Sequence, residues 1–428
     1  MKQKNTNRTV IIILLAIFLL ALGLRGLYFL KEKDNMSLTS DPRNYWLMSH
    51  QIVDNGIYGY WYDGNPYGGN PGISNARVMP GYPLFLAAVY KVVGDKFLQI
   101  TAVRLLQIIA GSLSVIVAFA FVNKAFKKEG MALLAAFFVA VYPSYVLSCM
   151  QLLTEILALF TMLIYFYLVA LAFESRKTGH NLLAGVAFGL HILIRPTLLP
   201  LFILPFMFII LNNLFNRKKS QGGFPLKLLF KLFLMQTIGF VAVMAPWWIR
   251  NIMVLGSFIL TAKASGNPLL AGTYPYFQDY FKDVTDSIRG NNEKQQALGI
   301  QRIINGLKTD PWLYIKWFTL GKTELLFWKP FLHHVVSPAY KDMYFFSHFF
   351  VLYSGILGMI WHAIKSSRAV WFYVYGLAIL CLQLLFVPDS RFAYLIMFFI
   401  MVGAAHLLCS LAELFSKKIL KRVHTDNA

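Results

Sequence analysis

The sequence predicts an all-α polytopic membrane protein, and three observations support this fold class. Of the 428 residues, 57% are hydrophobic and 14% are charged, whereas soluble proteins carry roughly 25% charged residues. Apolar segments recur from Thr9 to Leu414, and a span needs about 20 mostly apolar residues, which gives about ten transmembrane helices. Lysine and arginine collect in short loops at alternate ends of these segments, as is typical of cytoplasmic loops.

The apolar segments set the expected topology. Lys2, Lys4 and Arg8 precede the first segment, so we expect a cytoplasmic N-terminus, and an even number of spans also puts the C-terminus inside a plasma membrane. The first segment is too long for the apolar part of a signal peptide, so it is interpreted as an uncleaved span. The shortest segment, 181–195, has the alternative of forming a broken helix with 197–214. The predicted spans are residues 9–30, 98–123, 131–148, 152–173, 181–195, 197–214, 228–249, 343–364, 369–387 and 392–414.

Two long regions, 31–97 and 250–342, are expected outside the membrane, within a single domain of residues 1–428. In the first region, "DPRNYWLMSHQIVDNG" predicts a helix lying on the membrane surface. Asp41 is its predicted N-cap, Pro42 its first helical residue, and Gly56 follows its end. "PGYPLFLAAVYKVVG" predicts a second helix that is too short to span, and the aromatic loop 57–67 lies between the two.

The second outer region predicts a polar helix near 287–307, followed by the aromatic amphipathic stretch "PWLYIKWFTLGKTELLFWKP". Nearly all the mass outside the predicted spans therefore lies on the outer face. Any chemistry is expected there, at the membrane surface.

Two carboxylates are the candidate catalytic residues. Asp41 lies in the first outer region, and its alternative role is only to cap a helix. Glu155 lies a few residues into a predicted span, where a carboxylate is costly and functional by default. The alternative for Glu155 is that it lies close enough to the surface to stay hydrated.

Five arginines are candidates for binding phosphate. Arginine keeps its charge and binds phosphate oxygens in a bidentate manner, so several converging arginines indicate an anion site. The alternative for each is that its side chain extends to lipid headgroups. His191, one turn before Arg195, is interpreted as a packing residue. The candidates are Arg43, beside Asp41, and Arg77, Arg195, Arg250 and Arg391, near predicted outer ends of apolar segments.

The net charge of +21 does not indicate a nucleic-acid partner, because the basic residues are scattered at the ends of apolar segments. The sequence has no P-loop, dinucleotide fingerprint, GxSxG or HExxH motif. His333, His334 and Asp342 do not have a recognised metal-ligand spacing. No cofactor is identified with certainty, and a divalent metal ion remains an open alternative.

Several segments together resemble the dolichyl-phosphate-mannose protein mannosyltransferase-like family of bacterial membrane glycosyltransferases, of the GT-C class. The likeness covers most of the chain, with the segments in the family's usual order. They are the first-loop Asp41, "PGYPLFLAAVYKVVG", "YPSYVLSCMQLLTEILALF", "GVAFGLHILIRPT", "APWWIRNIMVLGSFIL" and "DSRFAYLIMFF".

The resemblance implies transfer of a sugar, hexose or pentose, from a polyprenyl-phosphate donor on the outer membrane face. It implies that Asp41 is the general base and that Glu155 matches the acid at the start of the fourth span. Arginines would stabilise the leaving phosphate, and direct displacement would invert the anomeric carbon. The first loop carries one acid, without the adjacent pair of the eukaryotic protein mannosyltransferases. The acceptor therefore stays open between lipid, glycan and protein.

Two other classes compete with this interpretation. A transporter or flippase of a lipid-linked sugar would use a similar membrane domain, but transporters often consist of repeated halves, which this sequence does not show. An inactive envelope scaffold would leave the intramembrane Glu155 and the arginines without a purpose.

Overall fold

The computed structural model describes residues 2–60, 72–215, 224–278, 288 and 291–425. The fold is 83% helical, and the described residues contain no β-strand, which confirms the all-α class. Residues 61–67 of the predicted aromatic loop lie outside the described residues. In chain order the α-helices of the described residues are α1 (Lys2–Glu32), α2 (Ser40–Asn55), α3 (Gly81–Val93), α4 (Lys96–Phe126), α5 (Glu129–Val141), α6 (Pro143–Leu147), α7 (Glu155–Ser175), α8 (Thr178–Ile194), α9 (Leu204–Phe215), α10 (Leu226–Leu255), α11 (Gly266–Gly272), α12 (Asn292–Thr309), α13 (Pro311–Lys316), α14 (Lys322–Trp328), α15 (Pro338–Lys365), α16 (Ser367–Gln383) and α17 (Tyr394–Thr425).

Among the described residues, 7 helical segments are long and apolar enough to cross a membrane, or 8 if the bent pair α5 and α6 forms one span. The predicted number of ten also counts α8 and α16, which have 17 residues each. At 1.5 Å per residue such a helix is about 26 Å long, shorter than the roughly 30 Å hydrocarbon core. The polytopic architecture is confirmed, and the number ten stays a prediction. The 7 segments are Arg8–Glu32, Lys96–Phe126, Glu155–Ser175, Pro196–Leu214, Leu226–Leu255, Pro338–Lys365 and Ser390–Ser416.

The bend between α5 and α6 is stabilised by a buried arginine of α1. Pro143 has no N–H, so the carbonyl of Val139 loses its helical partner. The Arg25 guanidinium replaces that donor, with bonds of 3.1 Å to Val139 O and 3.0 Å to Ala140 O. Sequence reasoning did not single out Arg25, although an arginine inside the apolar segment 9–30 is itself a signal of a specific role.

Glycines allow the tightest helix contacts in the bundle. Gly358 of α15 lies against the carbonyl of Gly403 in α17, and Gly185 of α8 lies against the carbonyl of Gln236 in α10. A Cβ atom at either glycine would overlap the neighbouring backbone. These glycines let the helix backbones approach each other closely, as small residues at helix interfaces do in membrane bundles generally.

Helix α2 starts earlier than predicted. It begins at Ser40, with Thr39 as N-cap residue, so the prediction that Asp41 is the N-cap and Pro42 the first helical residue is wrong. The reason is that the Asp41 carboxylate bonds to distant side chains instead of the backbone N–H groups of its own helix. The predicted end is confirmed, because Gly56 adopts φ 69°, a left-handed conformation that glycine takes readily.

Helix α3 confirms the predicted short helix in the first outer region. Gln99 of α4 fixes both outer helices to the bundle. Its Nε2 donates to Ser49 Oγ of α2 at 3.0 Å and to Leu86 O of α3 at 2.9 Å, and its Oε1 lies 2.8 Å from His50 Nε2. Gly81, the first residue of α3, lies against the backbone of Leu193, near the end of α8.

The second of the two predicted outer regions contains α11 to α14. The predicted polar helix is α12, and the predicted aromatic stretch forms α13, a π-helical turn at Trp317–Gly321, and α14. The two predicted outer regions contact each other where Lys263 N donates to Ala76 O at 2.8 Å. Val387 N donates to Pro268 O at 2.9 Å, which connects the same layer to the segment before α17.

Candidate active site

Four charged side chains from four distant segments form a continuous chain of ion pairs. Arg391 Nη1 donates to Asp41 Oδ2 at 2.7 Å, and Arg391 Nε lies 3.6 Å from Glu155 Oε1. Arg195 Nη1 donates to the same Glu155 Oε1 at 2.9 Å. The two carboxylates and two guanidinium groups alternate, and their formal charges sum to zero.

Local sequence explains how three of these side chains are positioned. Arg195 precedes Pro196, whose ring disfavours helical backbone before it, so α8 ends there and Arg195 is extended with φ −148°. Glu155 is the first residue of α7, where the positive end of the helix dipole favours an acid. Arg391 follows Asp389, whose side chain accepts from Arg391 N at 2.9 Å and caps the 3₁₀ segment Ser390–Ala393.

The chain of ion pairs runs from a buried end to an accessible end. The Glu155 side chain is 1% exposed, so the alternative that it stays hydrated at the surface is wrong. The Arg195 side chain, at the buried end, is 10% exposed, whereas the Asp41 side chain, at the accessible end, is 35% exposed. Asp41 is therefore the carboxylate of the pair that an incoming hydroxyl group can reach.

Tyr60 is a partner of Asp41 that sequence reasoning placed only within an aromatic loop. Its hydroxyl donates to Asp41 Oδ1 at 3.1 Å and accepts from Asn44 Nδ2 at 2.7 Å. Burial, and then the charge of Asp41, raise the pKa of Tyr60 well above its usual range, so the hydroxyl keeps its proton and donates. Tyr45 contacts the Tyr60 ring edge-on, with centroids 6.2 Å apart. The Asp41 carboxylate is thus fixed through both of its oxygens.

Two more of the candidate arginines, Arg77 and Arg250, contact the segments on either side of residues 61–71. The Arg77 guanidinium lies 5.9 Å from the centroid of the Tyr60 ring. Arg250 donates to Asn75 O and to Tyr58 O, each at 2.9 Å. Asn75 Oδ1 in turn accepts from Tyr60 N at 3.0 Å. These arginines therefore shape the loop that carries Tyr60.

The structure brings some of the predicted site residues together and separates others. Arg43 is exposed on α2, and none of the ion pairs between described residues of the site includes it. His191 is buried, with Nδ1 3.1 Å from Ala158 O, as its interpretation as a packing residue requires. The chain of ion pairs contains Asp41, Glu155, Arg195 and Arg391, while Arg77 and Arg250 lie around Tyr60 and Asn75.

An apolar groove of about 340 Å³ lies between α14, α15, α16 and α17. Phe327, Leu352, Leu377 and Ile396 are among its lining residues. Ile396 is in the first turn of α17, and this helix directly follows the 3₁₀ segment that carries Arg391. The wall of the groove that α17 forms is therefore continuous in the chain with Arg391.

The described part of the site does not show a donor set suited to a resident metal ion. In the part of the chain that the structure describes, no group of three His, Cys, Asp or Glu side chains comes close enough to hold one, and His333, His334 and Asp342 are no exception. Both carboxylates of the site contact guanidinium groups, and a dication placed there would meet two adjacent positive charges. We therefore derive no step through a metal.

The family resemblance inferred from the sequence is confirmed by a family comparison. Residues 77–249 match the family described as dolichyl-phosphate-mannose-protein mannosyltransferase. The matched range includes Glu155 and three of the candidate arginines, Arg77, Arg195 and Arg250. Asp41 and Arg391 lie outside it. The search of curated proteins gave no match.

Solved structures with the same fold come from an archaeal oligosaccharyltransferase. The oligosaccharyltransferase AglB from Archaeoglobus fulgidus, in complex with an inhibitory peptide and a dolichol-phosphate, is similar with a TM-score of 0.56 at 16% identity over 99% of this chain. Its apo form gives 0.57 at 14% over 97%, and its complex with Zn and sulfate gives 0.51 at 15% over 97%. The chain spans about half of these proteins, 52%, 52% and 51% of their lengths. The likeness shows a shared fold.

Proposed function

We propose that this protein transfers a monosaccharide, a hexose or a pentose, from a polyprenyl-phosphate donor to an envelope acceptor on the outer face of the plasma membrane. The observation that supports this most directly is the half-buried Asp41, held by Arg391 at 2.7 Å and Tyr60 at 3.1 Å. It combines an accessible base with a preorganised cation. These are the two groups that transfer from a phosphate-linked sugar needs. The family match and the dolichol-phosphate bound by the structural relative support the lipid donor.

The apolar groove beside α17 is suited to the isoprenoid tail of the donor. Its lining is almost entirely hydrocarbon, with Phe327, Leu352 and Ile396 among its walls. A tail lying there brings the attached phosphate towards Arg391, at the polar end of the same wall. The sugar then extends beyond the phosphate towards Asp41.

During transfer Asp41 takes up a proton and the leaving phosphate gains a negative charge, and both groups face Arg391. The acceptor hydroxyl loses its proton to Asp41 as its oxygen bonds to the anomeric carbon. The bond from that carbon to the phosphate oxygen breaks, and its electron pair stays on the phosphate, which gains one negative charge. Attack opposite the leaving group inverts the anomeric centre, through an oxocarbenium-like transition state. Arg391 loses the charge of Asp41 and gains that of the phosphate, so it faces an anion throughout.

Glu155 and Arg195 act on this step through Arg391. Glu155 is too deeply buried to accept the proton of an acceptor, and its Oε1 is shared by both arginines. Because it contacts Arg391 Nε, it fixes the plane of the guanidinium that Asp41 and the phosphate share. We therefore propose that Asp41 is the catalytic residue and Glu155 a positioning residue. Arg43, Arg77 and Arg250 add positive potential around the site.

The test uses vesicles that contain the purified full-length protein and a labelled pool of polyprenyl-phosphate sugars, with an envelope extract as acceptor. Asp41→Asn keeps the volume and removes the base, so transfer should fall at least about 100-fold. Asp54→Asn, on the same helix but exposed at its other end, is the matched control and should retain transfer. Full transfer by Asp41→Asn would exclude the base assignment. Movement of the label across the membrane without acceptor modification would favour the flippase.

A further inference from the structure

A second pocket, of about 340 Å³, opens beside the first loop and outside the chain of ion pairs. Its walls come from the segment 74–77, the end of α10, and the starts of α11 and α12. A volume of this size is at the lower end of the usual range for small-molecule sites. The cationic and amide side chains of its lining are Asn75, Arg77, Lys263, Asn267, Asn292 and Gln295.

The lining of the pocket, taken over the described residues, contains two cations and no carboxylate. Among the described residues, neither Arg77 nor Lys263 forms an ion pair with a carboxylate. The acid nearest in sequence, Glu293, is exposed and does not line the pocket. Arg77 is partly buried, and burial lowers its pKa because the cation is partly removed from water without a compensating anion. The site is therefore built to receive negative charge.

The same pocket offers groups that recognise sugars. Four side-chain amides line it, and each can donate to or accept from hydroxyl groups. Asn292 is held in place because its Oδ1 accepts from Gly266 N at 2.8 Å, at the junction of α11 and α12. Asn292 is also the first residue of α12, a helix of 18 residues whose positive dipole end adds to the two cations.

Tyr60 connects this pocket to the candidate active site. Its hydroxyl donates to Asp41, and its ring lies 5.9 Å from the Arg77 guanidinium. Tyr60 therefore contacts both a cation of the pocket and the carboxylate of the candidate active site, and the apolar groove beside α17 is a separate cavity.

We propose that this pocket binds the acceptor, and that the acceptor is a saccharide carrying an anionic group, which Arg77 and Lys263 contact while the amides bind its hydroxyls. The inference rests on the proposed function. In this proposal Arg77 binds the acceptor, whereas the sequence made it a candidate for binding the donor phosphate. An anion held there places a neighbouring hydroxyl of the same saccharide beside Tyr60 and within reach of Asp41.

Binding is measured without transfer, on full-length protein carrying Asp41→Asn. The probes are methyl glucoside 6-phosphate, methyl glucuronide and neutral methyl glucoside, titrated calorimetrically in detergent at low and high salt. The two anionic sugars should bind at least about tenfold more tightly than the neutral one, because charge-assisted bonds contribute more than neutral ones. Their ranking distinguishes a phosphate from a carboxylate as the acceptor's charge. Equal binding of all three probes would overturn the proposal.

Variants assign the binding to this pocket. Lys263→Gln and Arg77→Gln should each weaken the anionic sugars about tenfold and leave the neutral sugar unchanged. Arg77→Lys, which keeps the charge, should restore part of the loss. Lys294→Gln, an exposed lysine in the first turn of α12 that does not line the pocket, is the control and should bind as the parent does.

A polyprenyl-phosphate titration separates this proposal from the donor site. Lys263→Gln and Arg77→Gln should leave its affinity unchanged, and loss of that affinity would identify the pocket as the donor phosphate site instead. Because no transfer is required, the pocket can bind its anion even if the protein fails as a transferase. Failure of transfer with anion binding intact would contradict the proposed function alone.

Discussion

Arg391 donates a 2.7 Å hydrogen bond to Asp41, and these two residues lie 350 positions apart in the chain. The bond joins α2 to the segment that precedes α17. The same guanidinium lies 3.6 Å from the buried Glu155. Three segments of the fold therefore meet at one side chain.

Arg391→Lys should lower transfer about 100-fold, because an ammonium group cannot contact Asp41 and Glu155 in the fixed plane of a guanidinium. The measurement is the initial rate of label transfer in vesicles, normalised to folded protein. Arg368→Lys, an exposed arginine outside the site at the start of α16, is the control. A rate within twofold of the wild type for Arg391→Lys would contradict the role of its geometry.

Glu155→Gln should destabilise the fold by roughly 3–5 kcal/mol, since it leaves the buried guanidinium of Arg195 without its carboxylate. The double variant Glu155→Gln with Arg195→Gln removes both charges and should recover part of that loss. Thermal unfolding in detergent gives the comparison, with the double variant melting above Glu155→Gln. Additive losses would show that the two side chains are not coupled.

Tyr60→Phe should lower transfer about ten- to hundredfold, because Asp41 loses a hydrogen bond of the charge-assisted kind. Burial raises the pKa of Tyr60, so its hydroxyl donates across the whole working pH range. The loss of transfer caused by Tyr60→Phe should therefore be the same at pH 6 and pH 9. Tyr58→Phe is the control: it loses a 2.9 Å bond to Val78 O without touching Asp41. Transfer per folded molecule should be unchanged in that variant.

Lys322 predicts a pH dependence of stability. It is fully buried in α14, its Nζ donates to Leu384 O at 2.7 Å, and burial lowers its pKa from 10.5 to about 7. Between these two values the unfolded chain binds a proton that the folded chain does not, so the free energy of unfolding rises with pH over this window. The burial cost is present in full below pH 7 and is relieved by about pH 10.5.

The measurement is the thermal midpoint in detergent from pH 7 to pH 10, compared between wild type and Lys322→Met. The difference between the two proteins cancels the titration of other groups. The variant should be the more stable protein at pH 7, and its advantage should shrink as the pH rises. A constant difference would show that Lys322 does not change its protonation in this window.

Sequence reasoning located much of the fold because it uses local rules. The length and hydropathy of the apolar segments, and Gly56 at the end of α2, predicted elements that the structure contains. The prediction that Asp41 is the N-cap of α2 was wrong, because a local rule considers only hydrogen bonds between the carboxylate and its own helix. In the structure the carboxylate accepts from Tyr60 and Arg391, partners that no pattern within α2 indicates.

The buried basic residues show a second limit of sequence reasoning. Arg25 and Lys322 were not among the candidates, although a charge in an apolar stretch is a readable signal. What the sequence does not give is the partner: backbone carbonyls at the α5–α6 bend for Arg25, and the carbonyl of Leu384 for Lys322. The carbonyl of Val139 lacks a helical donor because of Pro143, which the sequence shows, but the packing of α1 against the α5–α6 bend decides that Arg25 takes the place of that donor.

By itself, the sequence determined that this chain is a helical membrane protein with acids and arginines at the ends of its apolar segments and in the regions between them, because hydrophobic length and charge bias act segment by segment. Only the tertiary structure decided which arginines meet which acids. Arg195 and Arg391 converge on Glu155, while Arg77 and Arg250 turn towards the first loop. The physical reason is that an ion pair depends on a distance of about 3 Å between side chains, and the packing of the helices sets that distance.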